Sequence, residues 1–246
     1  MKRQATVQTD FQRIEVWSNG RQTEFRGRGA THAWWHRDRF LTGYTWDAIA
    51  AACLLRPAGP PRTILMLGLA GGTSLRAVRH LLGHAAAFTA VELDRRMVRL
   101  AERHMELRKL GIDVHLDDAY AWLARNRRRF DIVVDDVYAA LDDRMARPGW
   151  GDRHFRLLHG ALAPGGLLVA NLLTGRNHRR MQSALRAAFR AGFPVVRSVT
   201  TPLSANEVLV GGHDGVLAGG ALRPWTVRFP HATDRRLWRA LRVRGI

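Results

Sequence analysis

From Arg62 onward the chain alternates short apolar runs with amphipathic stretches, the pattern of parallel strands joined by crossover helices. The runs predict strands at Ile64–Leu67, Ala86–Glu92, Asp113–Leu116, Asp131–Val134, Leu167–Asn171, Val195–Val199 and Glu207–Val210. Between them, apolar residues at helical spacing predict helices at Ser74–Leu82, Arg95–Leu110, Ala119–Arg129, Asp152–Leu162 and Arg176–Ala191. Pro164-Gly165-Gly166 marks a turn before the fifth strand, and Phe193-Pro194 separates the last helix from the sixth. The expected fold is α/β, a doubly wound sheet of seven strands.

The first sixty residues follow another rule. Phe11–Trp17 alternates like a strand, Ser18-Asn19-Gly20 is a turn signal, and Gln22–Phe25 returns, predicting a small β-hairpin unit. Tyr44–Leu55 has the apolar density of a packed helix, and Pro57–Pro61 closes the unit. After Gly212 the chain is rich in Gly and Arg, and Leu237, Trp238 and Leu241 place a basic helix over Arg235–Arg244. The expected division is residues 1–60 for the hairpin and linking helix, 61–212 for the α/β domain, and 213–246 for a basic tail.

Composition narrows the class. The 246 residues are 46% hydrophobic, enough to bury a core and to exclude global disorder. No apolar run approaches the roughly 20 residues of a membrane-spanning helix, and the first ten residues lack the apolar centre of a secretory signal, so a cytoplasmic protein with no membrane partner is expected. A single cysteine, Cys53, rules out an internal disulfide, and it sits in an apolar helix as a core residue would. His32 and His36 lack a third ligand at matching spacing, so no metal site is expected. The net charge of +18 would attract polyanions, but only Lys2 and Lys109 are lysines, and an excess carried by arginine reflects genomic base composition as readily as a nucleic-acid partner.

Chemistry concentrates at the strand ends, where open α/β sheets bind their ligands. The first strand runs into Gly68-Leu69-Ala70-Gly71-Gly72-Thr73 ahead of a helix, small residues that let a ligand approach backbone N–H groups. The second ends at Glu92, placed to accept both hydroxyls of a ribose. The third ends in Asp117-Asp118 and the fourth in Asp135-Asp136, so five carboxylates gather on one edge of the sheet. Such crowding costs free energy unless solvent, hydrogen bonds or a cation offsets it. Asp118 also stands where it would cap the next helix. A sulfonium nucleoside fits this edge better than a nicotinamide cofactor. Asp136, with Tyr138 beside it, would orient an acceptor and take its proton. Trp34 and Trp35, beside Arg37 and Arg39, would either wall the acceptor pocket or pack the hairpin on the sheet.

In order and spacing, FQRIEV, the helix around Tyr44, LGLAGGTSLRAV, AVELDRRMV, LDDAYAWL, FDIVVDDVY, LAPGGLLVANL and ANEVLVGG resemble the spermidine synthase-like branch of the S-adenosylmethionine-dependent methyltransferase superfamily. The resemblance implies a seven-stranded Rossmann-like methyltransferase sheet, an N-terminal β-hairpin domain and a homodimer. It implies that Gly68, Ala70 and Gly72 line the cofactor, that Glu92 binds ribose, and that Asp118 with Ala119 binds adenine. Asp136 and Tyr138 become the catalytic pair, with Tyr44 and Asp135 at the substrate. Two positions depart from the pattern: Gly71 replaces an Asp of the glycine loop that holds the amine of the decarboxylated donor, and Ala139 replaces a second Asp after the catalytic one.

These departures favour a transferase that uses S-adenosylmethionine, or its decarboxylated form, to methylate or alkylate a small-molecule acceptor. True spermidine synthesis is the alternative, and a non-catalytic module holding a nucleoside or, through the basic tail, nucleic acid is a further one.

Overall fold

The computed structural model describes residues 1–141, 144–146 and 151–246, with side chains described for 1–138 and 151–246. Its centre is an eight-stranded sheet in the order β14-β12-β13-β11-β8-β5-β6-β7. Strands β5 (Thr63–Leu67), β6 (Ala87–Glu92), β7 (Ile112–Leu116), β8 (Phe130–Asp135) and β11 (Leu162–Leu172) run parallel. Strands β12 (Val195–Thr200) and β13 (Glu207–Gly212) pair antiparallel to each other, and β13 pairs antiparallel to β11. The seven strands β5 to β8 and β11 to β13 are those the apolar runs predict.

Both faces of the sheet are covered, as the period of two along each strand requires. On β5, Ile64 and Met66 pack with helices α1 (Thr45–Ala52), α2 (Thr73–Leu82) and α3 (Arg95–His104), while Leu65 and Leu67 face α4 (Ala119–Arg125), α5 (Asp152–Gly160) and α6 (Arg179–Gly192). From β5 the chain moves outward to β6 and β7, then returns to β8 on the other side of β5. The strand order therefore reverses at the carboxyl end of β5, where a ligand crevice opens.

The expected N-terminal hairpin is present within a larger sheet, and one expectation at the C-terminal edge is corrected. The N-terminal unit is a four-stranded antiparallel meander of β1 (Lys2–Gln8), β2 (Arg13–Ser18), β3 (Gln22–Gly27) and β4 (Ala30–His36), larger than a hairpin. Strand β1 is largely exposed and mostly polar, so its alternation is faint. At the other end, α7 (Ala232–Arg239) stops before the expected basic helix does, and Arg242-Val243-Arg244-Gly245 forms β14 on β12, Val243 opposite Val199. Alternation of Arg and Val is a strand pattern, and the charged residues suit an exposed edge. The short hairpin β9 (Ala139–Leu141) and β10 (Arg144–Ala146) follows β8. Ala139, where the resemblance places a second acid, lies outside the residues whose side chains are described.

Segment 40–44 joins the meander to α1 and is fixed by two buried carboxylates. Asp47 accepts the N–H of Thr42 at 2.9 and 3.1 Å, the Thr42 hydroxyl at 2.9 Å and the Gly43 N–H at 2.6 Å. Asp234 of α7, fully buried, accepts the Phe40 N–H at 2.8 Å. Burial pushes the Asp47 carboxyl up to about 7, the bonds from Thr42 and Gly43 working against it and the nearby Asp234 charge adding to it. The native state thus holds a proton that the unfolded chain releases near pH 4, and this contribution to stability is lost as pH rises to about 7. Relative to Asp47→Asn, the wild-type melting temperature should fall as pH is raised from about 5 to 8. A difference that stays constant or grows would contradict this.

Candidate active site

A cavity of about 1010 Å3 opens at the switch point, between the strand ends of the sheet and the meander. Gly68, Leu69, Ala70, Thr73, Glu92, Leu93, Asp94, Met97, Asp118, Ala119, Asp136, Val137 and Tyr138 form its sheet side. Trp34, Arg39, Thr42, Tyr44, Thr45 and Trp46 face them from β4, segment 40–44 and the start of α1. Asn171, Leu173, Ser204 and Asn206 complete the wall at the ends of β11 and before β13.

The turn after β5 explains why its residues are small. Gly68 has φ +81° and lies against β8: a Cβ there would stand 2.5 Å from the Asp136 carbonyl oxygen. Ala70 also has positive φ, 46°, a costly region for a residue with a Cβ. Glu92 holds it there. One carboxylate oxygen accepts the N–H groups of Leu69 at 2.9 Å and Ala70 at 2.8 Å, and the other accepts Asp94 N–H at 2.9 Å. The residue expected to bind ribose therefore also fastens the loop.

Two further acids are set by helix capping. Asp118 Oδ1 accepts Tyr120 N–H at 3.0 Å and Ala121 N–H at 2.8 Å, and Asp94 Oδ1 accepts Arg96 and Met97 N–H, both at 3.0 Å. Capping uses one oxygen of each, and Asp94 Oδ2 is buried with no hydrogen-bond partner among the described residues. A buried carboxylate oxygen without a donor, on the wall of a cavity beside Glu92, fits a ligand that brings hydroxyl donors, as a ribose does. Asp94 escaped the sequence reading, though an acid two residues beyond a strand end and ahead of a helix is a capping signal.

Asp136 lies at the tip of β8, its N–H bound to Leu67 O at 2.9 Å. Its Oδ1 accepts Asn171 Nδ2 at 2.7 Å. The Tyr138 hydroxyl donates to Asn171 O at 2.5 Å and accepts Leu173 N–H at 3.3 Å, so Asn171 ties both expected catalytic residues to β11. Asn171 was not singled out from the sequence, although an Asn ending an apolar strand beside Asp136 is the same kind of signal. Tyr44, half exposed, stands across the cavity with its ring 6.5 Å from Trp46.

The structure separates other expected residues from the cavity. Asp135 is fully buried on the opposite face of the sheet, accepting the Tyr120 hydroxyl at 3.1 and 3.2 Å; strand alternation turns it away from the cavity. Gly72 does not line the cavity either: with φ +73° it caps α2 and packs on Leu107, leaving no room for a Cβ. Asp117 pairs with Arg125 outside. Thus Glu92, Asp118 and Asp136 converge, while Asp117 and Asp135 do not. Trp34 lines the cavity, whereas Trp35 turns into the core with the Arg76 guanidinium 5.3 Å from its ring. Arg37 binds Gly20 O away from the cavity.

Gly71, where the resemblance would place an acid, is sealed. A Cβ at this position would lie 2.4 Å from Ala33 Cβ and 2.7 Å from Met105 Sδ. An aspartate there would have to displace β4 or the end of α3.

A family model described as Spermine/spermidine synthase domain matches residues 51–209. Polyamine aminopropyltransferase 2 of Pseudomonas aeruginosa is 31% identical over 147 residues, covering 56% of this chain and 41% of that protein. An eEF1A lysine and N-terminal methyltransferase homolog of Drosophila pseudoobscura is 31% identical over 161 residues, covering 62% of this chain and 24% of that one. The chain thus spans less than half the length of either relative. Among solved structures, a probable spermidine synthase from Corynebacterium glutamicum superposes with a TM-score of 0.74 at 18% identity, covering 100% of this chain and 91% of that one, which shows a common fold.

Replacing Glu92 with Ala strands three backbone N–H groups and releases Ala70 from its positive φ. Urea unfolding of Glu92→Ala should show a loss of about 1–3 kcal/mol; unchanged stability would mean that the loop does not depend on this carboxylate.

Proposed function

The chain belongs to the spermine/spermidine synthase family, and from that membership we propose that it transfers an aminopropyl group from decarboxylated S-adenosylmethionine to a small amine. One observation carries this reading: Asp136, held by Asn171, shares a single cavity with the nucleoside-directed acids Glu92, Asp94 and Asp118. Family membership makes aminopropyl transfer the first reading, ahead of the methyl transfer expected from Gly71 and Ala139.

The adenosine would lie between Leu69, Val91, Met97 and Val137, with Glu92 and Asp94 at the ribose and Asp118 with Ala119 at the base. When bound, the donor supplies a carbon activated by positively charged sulfur. Tyr44, Thr45 and Asn206 stand where they would align the acceptor amine for an in-line approach to that carbon. As the C–N bond forms and the C–S bond breaks, the electron pair of the latter stays on sulfur and the amine becomes a better acid. Asp136 takes the proton it sheds. The Asn171 bond keeps Asp136 in one rotamer, and Tyr138 locks Asn171.

A second reading, methyl transfer from intact S-adenosylmethionine, has its own support in the sealed Gly71 position and the methyltransferase relative. Parallel assays with both donors and 1,4-diaminobutane, following methylthioadenosine and S-adenosylhomocysteine by mass spectrometry, separate the two. Methylthioadenosine formed with the decarboxylated donor is expected. S-adenosylhomocysteine formed only with the intact donor would move the assignment to methyl transfer. Asp136→Asn should lower kcat by about 10²–10⁴ while leaving donor affinity within about twofold; undiminished turnover would remove Asp136 from the mechanism.

A further inference from the structure

The side of the cavity nearest the meander carries a cation that the proposed reaction does not use. Arg39 follows β4, and its guanidinium carbon sits 5.5 Å from the centre of the Trp34 ring, which also lines the cavity. Nη2 donates to Leu41 O at 3.1 Å, and Nε faces Asp234 Oδ1 at 3.5 Å. Nη1 has no hydrogen bond among the described residues. A quarter of the side chain is exposed, while the Asp234 side chain is fully buried. Asp234 also binds Phe40 N–H, so α7 fixes both the backbone and the head group of this segment.

The other charges on the cavity wall are already engaged. Glu24 pairs with Arg26, Glu92 accepts three N–H groups, Asp94 and Asp118 cap helices, and Asp136 binds Asn171. Among the described residues the one ion pair of Arg39 is with Asp234, on its protein side. Thr73 and Ser74, the first residues of α2, line the same cavity, adding the positive end of a ten-residue helix. The sealed Gly71 position keeps an acid out of the glycine loop.

We propose that Arg39, stacked on Trp34 and anchored by Asp234, forms a carboxylate-binding subsite within the cavity. One ligand that turns over here then carries a carboxylate, either on the donor, as intact S-adenosylmethionine does, or on an amino-acid-like acceptor used with the decarboxylated donor. A planar guanidinium with unspent N–H groups recognises that anion in both cases. The inference rests on the proposed reading of the pocket and adds a substrate class to it.

Calorimetry decides it in two arms. In the donor arm, S-adenosylhomocysteine is compared with its decarboxylated counterpart; in the acceptor arm, ornithine is compared with 1,4-diaminobutane, with and without saturating methylthioadenosine. One arm should favour the carboxylate by about tenfold or more, and that arm identifies the source. Because Arg39→Gln alone would strand the buried Asp234 charge, the double variant Arg39→Gln with Asp234→Asn is measured beside it, and the preference should fall to about twofold or less. A preference for the decarboxylated ligand in both arms, or one that survives the double variant, overturns the proposal. Methylthioadenosine alone reports the nucleoside site: its failure to bind would overturn the reading of the pocket, while ornithine against 1,4-diaminobutane without nucleoside would still decide the subsite.

Discussion

The structure depends on how backbone N–H groups at the carboxyl edge of the sheet are satisfied. Turns and helix starts at that edge leave donors without intrahelical partners, and burying them unpaired costs about 1–3 kcal/mol each. Here carboxylates meet them. Glu92 binds the Leu69, Ala70 and Asp94 N–H groups, Asp94 caps α3, and Asp118 caps α4. The same acids that hold the edge together line the cavity, so the local folding requirement and the candidate chemistry share side chains. This also resolves the crowding of negative charge: each carboxylate is stabilised by donors before any ligand arrives.

On the opposite wall the pocket borrows rigidity from distant parts of the chain. Segment 40–44 has no regular structure, yet Asp47 fixes its middle and Asp234 fixes its start across 194 positions of sequence. Trp238 buries itself beside Phe229, with its Nε1 bonded to Leu222 O at 2.8 Å, which seats α7 where Asp234 can reach Phe40. The C-terminal residues are therefore structural support for Tyr44, Arg39 and Thr42.

What the sequence made legible follows from how local each signal is. Strands β5, β6 and β8 were readable because each carries a short apolar run bounded by polar residues, and β7 because Val114 and Leu116 alternate with polar residues; Glu92, Asp118 and Asp136 each sit one or two residues past the last apolar residue of a strand. Asp135 misled because sequence proximity to Asp136 hides the fact that adjacent strand residues face opposite sides. Gly72 misled in the same way, since a glycine motif does not say which of its members faces the ligand and which packs beneath. Asn171 and Asp94 were within reach of the logic that found Asp136. The Arg39–Asp234 pair was not, because no local pattern joins a loop after β4 to a helix near the C-terminus. Strand β14 was lost to a helical spacing that holds through Trp238 and then gives way to alternation.

We propose that these edge carboxylates form an adenosine site. Titration calorimetry of methylthioadenosine against the wild type, Asp118→Ala and Asp94→Asn tests it most directly. The wild type should bind with a dissociation constant of about 100 μM or tighter, weakened by about tenfold in each variant, as expected for the loss of one charge-assisted hydrogen bond. No binding to the folded wild-type protein, or binding that neither substitution alters, would contradict it.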